Sequence, residues 1–189
     1  MKLIQPNTIG AEIGVWEGTT SQRFLNRNVS KLYLVDPWAV EGYKPALDAA
    51  DETFNYEKYI NRYKGMVGSA NPNDFQKYYD EVYKRVSRKF KNDKRVEICR
   101  MLSTNWFETY SGEKLDWIYI DGDHSYTGVI NDLRNAIKVV KKGGLIIGDD
   151  YKWHSEEDKG GVKKAVKEFI AEQNLKVNQY GKVQFVIQL

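Results

Sequence analysis

Cysteine is almost absent from this sequence, where Cys99 is the one residue of its kind. A lone thiol closes no internal disulfide and builds no thiolate metal centre, so the fold must rest on its core. The apolar neighbourhood of Cys99 assigns it a packing role and fits a reducing compartment. Long apolar runs are missing too. None approaches the roughly 20 residues that a membrane-spanning helix needs, and Met1 to Gly10 carries no apolar core of signal-peptide length. No membrane partner is expected, and the expected location is the cytoplasm. Nor does one sign of charge prevail: 29 basic and 26 acidic residues leave a net charge of +3 and are interspersed along the chain. No basic stripe emerges to track a phosphate backbone, which argues against nucleic acid as a partner. Internal repeats, low-complexity tracts and interdomain linkers are also lacking.

What remains is a chain of 189 residues, 41% of them hydrophobic, which suits one domain with a sizeable core. Four short apolar runs end in Gly or Asp: Thr8 to Val15, Lys31 to Asp36, Leu115 to Asp121 and Gly144 to Asp149. Such runs predict strands buried on both faces, as in a parallel sheet covered by helices. Arg95 to Met101 is a weaker fifth, interrupted by Glu97 and Arg100. Helical patterns lie between them. In Asn73 to Phe90 the residues Phe75, Tyr79, Val82, Val86 and Phe90 share one face. Thr127 to Lys141 repeats the pattern, with Gly143 and Gly144 placed to stop it in a left-handed cap. Val162 to Gln173 is a third helix, and a short one is expected near Ser21 to Asn26.

The end of the chain differs. Leu175 to Gln179 and Lys182 to Leu189 are separated only by Tyr180 and Gly181, too short for a crossover helix, so they must pair antiparallel. The expected fold is α/β: Rossmann-like, doubly wound, a mostly parallel seven-stranded sheet closed by a C-terminal antiparallel hairpin.

Glu12-Ile-Gly14-Val15-Trp-Glu-Gly18-Thr19 follows the first strand and precedes a helix, where glycine lets the backbone turn sharply against a ligand. The bland reading is an ordinary strand-to-helix turn. Asp36 lies 22 residues beyond Gly14, at the end of the second strand, where a carboxylate can accept both hydroxyls of a ribose. A dinucleotide site would carry G-x-G-x-x-G. Glutamate at position 12 is an awkward neighbour for a pyrophosphate but suits a cationic ligand, which favours S-adenosylmethionine (SAM), a sulfonium, over NAD.

The richest segment is Leu115-Asp-Trp-Ile-Tyr-Ile-Asp121-Gly-Asp123-His124-Ser-Tyr126, echoed by Leu145-Ile-Ile-Gly-Asp149-Asp150-Tyr151. Carboxylates from adjacent strand ends repel one another unless a cation sits between them, and an all-oxygen set suits Mg²⁺ or Ca²⁺. The alternative is that these acids cap helices or pair with nearby lysines, and that His124 is a satisfied structural histidine.

This segment, with Val129, Asp132-Leu133, Gly143-Gly144, Gly161-Val-Lys, Ala165-Val166 and Phe169, resembles the class I SAM-dependent methyltransferases. The likeness is to the family that contains the macrocin-type sugar O-methyltransferases and, more distantly, to the catechol O-methyltransferases. The resemblance spans most of the chain except roughly residues 39 to 72. It implies that Glu12, Gly14 and Gly18 line the methionine end of SAM, that Asp36 holds the ribose, and that Ser103 lies near the adenine. Val15, Thr19, Trp38 and Asp121 complete the implied cofactor contacts. Asp121, Asp149 and Asp150 match the metal triad, with Mg²⁺ as the expected ion, and Asp123 matches the general base. Many relatives carry histidine where Asp149 stands, and Trp106 occupies a position where a small residue is expected.

The mechanism expected on these grounds is O-methylation of a small hydroxylated acceptor, a sugar or other polyol, with Asp123 or His124 removing the proton. Metal-independent transfer and a non-catalytic SAM-binding module are the alternatives. Seven of the 13 tyrosines fall between Tyr43 and Tyr83. An insertion at about residues 39 to 70 could form a substrate lid or a homo-oligomer contact, or its tyrosines could simply pack a helix onto the sheet.

Overall fold

The computed structural model of the chain describes residues 2–40, 56–152 and 160–189. Every apolar run predicted as a strand forms one. These are β1 (Ile9–Ile13), β2 (Lys31–Asp36), β3 (Val96–Arg100), β4 (Leu115–Ile120) and β5 (Val140–Gly148), followed by the hairpin strands β6 (Val177–Tyr180) and β7 (Gln184–Gln188). They make a seven-stranded sheet in the order β3-β2-β1-β4-β5-β7-β6. The first five strands are parallel, and β7 runs antiparallel to both β5 and β6. Around the sheet lie α1 (Thr19–Leu25), α2 (Tyr56–Val67), α3 (Pro72–Phe90), α4 (Ser103–Thr109), α5 (Tyr126–Val139) and α6 (Gly161–Gln173).

Alternation along the strands builds a separate core on each face. In β4, Ile118 and Ile120 join Leu133, Val166 and Phe169 of α5 and α6. Trp117 and Tyr119 point the other way, into a core with Phe24 of α1 and Phe75, Val82 and Phe90 of α3. The face predicted for α3 is the buried one, from Phe75 through Phe90. Its start is fixed by Asn71, whose side chain accepts from the Asn73 N–H, and by proline in the first turn. Cys99 is buried in the α5 core, and burial pushes its thiol up to about 11, consistent with packing and not reactivity.

One expectation is corrected. Gly143 and Gly144 do not cap α5, which stops at Val139 as Val140 turns extended. Consecutive β-branched residues favour the strand, so β5 begins at once. The glycines fall within it, at an irregularity in its pairing with β4, where Gly143 takes φ +80°.

Half of the proposed lid, residues 41–55, lies outside the described residues. In the described part the tyrosines pack: the hydroxyls of Tyr59 and Tyr79 meet at 2.6 Å, and the Tyr59 ring lies tilted against Phe75 and Tyr63. Among the described residues no helix is long and apolar enough to cross a membrane.

Strand order reverses between β1 and β4. The chain builds outward through β2 and β3, then returns to place β4 on the other side of β1. In open α/β sheets the crevice outside the carboxyl ends at such a switch point is where ligands bind.

Candidate active site

The carboxyl ends of β1, β2, β4 and β5 bring most of the sequence-predicted site residues to this crevice. Gly14 stands where β1 meets β4. A Cβ there would lie 2.1 Å from the Asp121 carbonyl oxygen, and the residue adopts φ +84°. Glycine is therefore required at this position, but for a reason other than ligand approach: it lets the glycine loop and the acidic loop touch. Gly18 is likewise confined by Phe90 of α3.

Asp36 fastens the loops around it. Its Oδ2 accepts from the N–H groups of Val15 and Trp16 at 2.9 and 3.0 Å, and its Oδ1 accepts from Trp38 at 2.6 Å. Both tryptophans sit in left-handed backbone, φ +53° and +42°, and the Trp38 indole donates to the Trp16 carbonyl at 2.9 Å. A carboxylate offers about four acceptor sites. With three filled by backbone N–H groups, about one acceptor site on Asp36 remains open. Burial raises its pKa, against the lowering effect of those N–H groups.

Glu12 is buried at the end of β1 and accepts a hydrogen bond from Ser21 of α1. Burial holds its carboxyl well above the usual range, and Asp121 and Asp36 add to that, while Ser21 and Lys89 oppose it. A buried acid flanked by two others is an electrostatic demand for a cation. Val15 is buried beside it and Thr19 is exposed at the start of α1.

The acidic loops converge differently from the expected triad. Asp121, His124 and Asp150 each offer an atom, all within 4.8 Å of one another. His124 Nε2 lies 3.4 Å from Asp121 and its Nδ1 3.3 Å from Asp150. Burial works to depress His124, but the carboxylates of Asp121, Asp150 and Asp123 outweigh it and raise its pKa. Asp121 is raised by burial and by Asp149 and Asp150, with His124 opposing. Asp149 accepts from the Tyr119 hydroxyl at 2.7 Å and from the Asp150 N–H at 3.0 Å, and its charge still bears on Asp121. Asp123 accepts from the N–H and hydroxyl of Ser125, both at 2.8 Å, and Ser125 in turn caps α5. Ser103 opens α4 and donates to the buried Asp132 of α5 at 2.7 Å.

Sequence reasoning overlooked three supports. Tyr119 is a buried hydroxyl in an otherwise apolar strand, a signal that a polar partner waits at the strand's end. Ser21 opposes Glu12, and Lys89 reaches from α3 to the Gly18 carbonyl at 2.8 Å. For these two nothing local in the sequence gives notice.

A family model described as a methyltransferase domain matches residues 11–151. Among curated proteins the chain is similar to an uncharacterized protein of Acanthamoeba polyphaga mimivirus, 28% identical over 142 residues that cover 74% of this chain and 50% of that protein. The chain thus spans about half the length of this relative. Among solved structures it is similar to the O-methyltransferase NovP, with TM-score 0.57 and 18% identity over 96% of this chain and 71% of that one. It also resembles SMU.1697c of Streptococcus mutans in complex with SAH, with TM-score 0.58 and 12% identity over 98% and 90% of the two chains. The N-methyltransferase NodS of Bradyrhizobium japonicum WM9 gives TM-score 0.54 and 12% identity over 97% and 85%. At these identities the likeness is one of fold. That O- and N-methyltransferases share it means the acceptor must be argued from the site.

Proposed function

This chain belongs to the SAM-dependent methyltransferase domain family, and on that premise we propose that it methylates a hydroxyl oxygen of a small acceptor, a sugar or other polyol, with help from a divalent cation at the acidic loops. The observation that carries the reading is the contact of Gly14 with the Asp121 carbonyl, which joins the cleft of Glu12 and Asp36 to the carboxylates of β4 and β5 in one crevice.

SAM, when bound, supplies an electrophilic methyl group on a sulfonium. Glu12 meets its positive end, and Asp36 takes one ribose hydroxyl while keeping Val15 and Trp16 in place. The donor set also fits a cation, since Asp121, Asp150 and His124 converge, with His124 Nε2 3.4 Å from Asp121 and its Nδ1 3.3 Å from Asp150. A divalent ion, when bound, supplies charge that stabilises an acceptor alkoxide. Asp123 is aimed by Ser125 and takes the hydroxyl proton. His124 suits that role less, because its neighbours favour its protonated form. No covalent intermediate is required, so positioning and charge placement account for the acceleration.

Metal-independent transfer is the second reading, and His124 favours it: protonated, it pairs with Asp121 and Asp150 and relieves their repulsion unaided. Transfer of a labelled methyl group from SAM to a panel of sugars, catechols and amines, with and without EDTA, tests both. Labelled hydroxyl acceptors and loss of turnover in chelator are the expected result. Undiminished turnover in EDTA selects the second reading, and labelling of amines alone sinks the O-methylation proposal.

A further inference from the structure

We infer that Arg100 is a positioning residue for the cofactor: its guanidinium holds the backbone of the loop after β2, and so keeps the open acceptor site of Asp36 directed into the cleft. The inference rests on the reading that Asp36 takes a ribose hydroxyl of SAM, and it names the side chain that keeps Asp36 able to do so.

Arg100 interrupts an otherwise apolar strand, and the sheet gives it a task. In the parallel pairing of β2 with β3, Arg100 stands level with Asp36. From there its Nε donates to the Pro37 carbonyl at 3.4 Å and its Nη2 to the Trp38 carbonyl at 3.1 Å. These carbonyls belong to the two residues that follow Asp36. Trp38 is thus gripped at both ends of its backbone, its N–H by Asp36 Oδ1 and its carbonyl by Arg100. Such a grip is needed, because Trp38 lies in left-handed backbone, which a bulky residue keeps only where its surroundings over-determine it. If the carbonyl were released, the N–H that orients Asp36 would move with it.

The guanidinium is itself aimed. Asp80 of α3 pairs with its Nη2, and the Tyr83 ring centroid lies 4.6 Å from its central carbon. The same Tyr83 ring packs on the Trp38 indole at 5.2 Å. Gln76, one turn before Asp80, donates to Asp80 at 3.1 Å and to the Trp38 carbonyl at 3.3 Å. Spacings of four and three put Gln76, Asp80 and Tyr83 on one face of α3. The planar fork of arginine can serve carbonyls, a carboxylate and a ring face together, which a lysine ammonium cannot. The positive charge also acts on Asp36, where it opposes the effect of burial. An exposed ion pair such as Arg100 with Asp80 adds little to stability, so its value lies in where it puts Trp38 and Asp36.

The test compares, by calorimetry on the whole chain, the affinity for SAH with that for its 2′-deoxy and 3′-deoxy analogues. In wild-type protein a carboxylate bond to a ribose hydroxyl should make at least one analogue bind about tenfold or more weakly than SAH. Arg100→Met should weaken SAH by about tenfold and leave that analogue within about threefold of its wild-type affinity, so that the discrimination collapses. Arg100→Lys keeps the charge without the fork and should lose most of the discrimination as well. Both variants should keep a urea midpoint near that of wild type. If Arg100→Met weakens SAH and the analogue in the same proportion, Arg100 supports the fold alone and the inference fails. If Arg100→Lys discriminates as wild type does, charge alone acts and the positioning role fails. If wild-type protein binds SAH and both analogues equally, the ribose role of Asp36 fails and this inference with it, whereas no binding of SAH at all sinks the cofactor reading itself. Should Arg100→Met not fold, Arg100→Lys decides by the same ratio.

Discussion

The two sides of the switch point solve opposite problems. Around β1 and β2 the acids are held by fixed donors: Asp36 accepts three backbone N–H groups, Glu12 accepts from Ser21, and α3 reinforces the loop from outside through Lys89. Around β4 and β5, Asp121, Asp149 and Asp150 crowd together with one histidine between two of them. The first half is a preformed mould, rigid enough to hold two tryptophans in left-handed backbone. The second gathers carboxylates whose only nearby opposite charge among these residues is a protonated His124, and on the proposed reading a cation completes it. On that reading, the cleft that orients one constant cosubstrate benefits from rigidity, while the half that would meet a cation and a variable acceptor keeps unspent charge.

The largest effect should come from parting the halves at Gly14. Gly14→Ala places a methyl group against the Asp121 carbonyl in backbone that alanine rarely adopts. We expect a loss of about 3 kcal/mol or more in urea unfolding, with SAH binding abolished in whatever protein folds. Stability within about 1 kcal/mol of wild type would mean that the two loops do not depend on this contact.

Much of this was legible beforehand, and the limits have physical causes. Apolar runs ending in Gly or Asp located the parallel strands because burial on both faces leaves few alternatives, and the two-residue turn at Tyr180 and Gly181 forced the hairpin. The face of α3 followed from spacing alone. The end of α5 was misjudged because the glycine pair looked like a cap, while Val139 and Val140 had already turned the chain. Side-chain direction past a strand's end was the hardest quantity. Spacing put Asp121, Asp149 and Asp150 near one point, but it gave no notice that His124 would lie between Asp121 and Asp150, or that Tyr119, two residues from Asp121 and on the opposite core, donates to Asp149. The Ser103–Asp132 pair joins residues 29 apart, beyond any local pattern.

That pair offers a smaller effect of opposite sign. Asp132 lies buried beneath the acidic half, and burial pushes its carboxyl up to about 7, with Asp123 adding and Ser103 opposing. Its folded-state value exceeds the ordinary 3.8, so the folded chain holds the proton more tightly than the unfolded one. Its contribution is intact below pH 4 and is lost as pH climbs toward 7. Asp132→Asn cannot ionise and keeps an oxygen for Ser103. It should gain roughly 2 kcal/mol at pH 8 and little at pH 4, read from urea midpoints across that range. A gain that does not vary with pH would point to packing and not to charge.

The finest test probes how much the mould owes to its outer brace. Lys89 donates to the Gly18 carbonyl, and its charge opposes the raised pKa of Glu12. Lys89→Met removes both actions, together with the ammonium 5.1 Å from the Phe90 ring centroid, and keeps an aliphatic stem of similar length. One part-buried hydrogen bond should cost only about 1 kcal/mol of stability. The effect on the cleft should be more revealing. SAM is positively charged, so it binds the ionised form of Glu12, and its affinity rises as that carboxyl loses its proton. Without Lys89 the proton is held to higher pH, which moves the whole affinity profile upward in pH. Calorimetry with SAM from pH 5 to 9 should show a several-fold weakening at the acid end that fades toward the alkaline end. A uniform weakening at every pH would make Lys89 a mechanical tether alone, and the cleft's preorganisation a matter of backbone and not of charge.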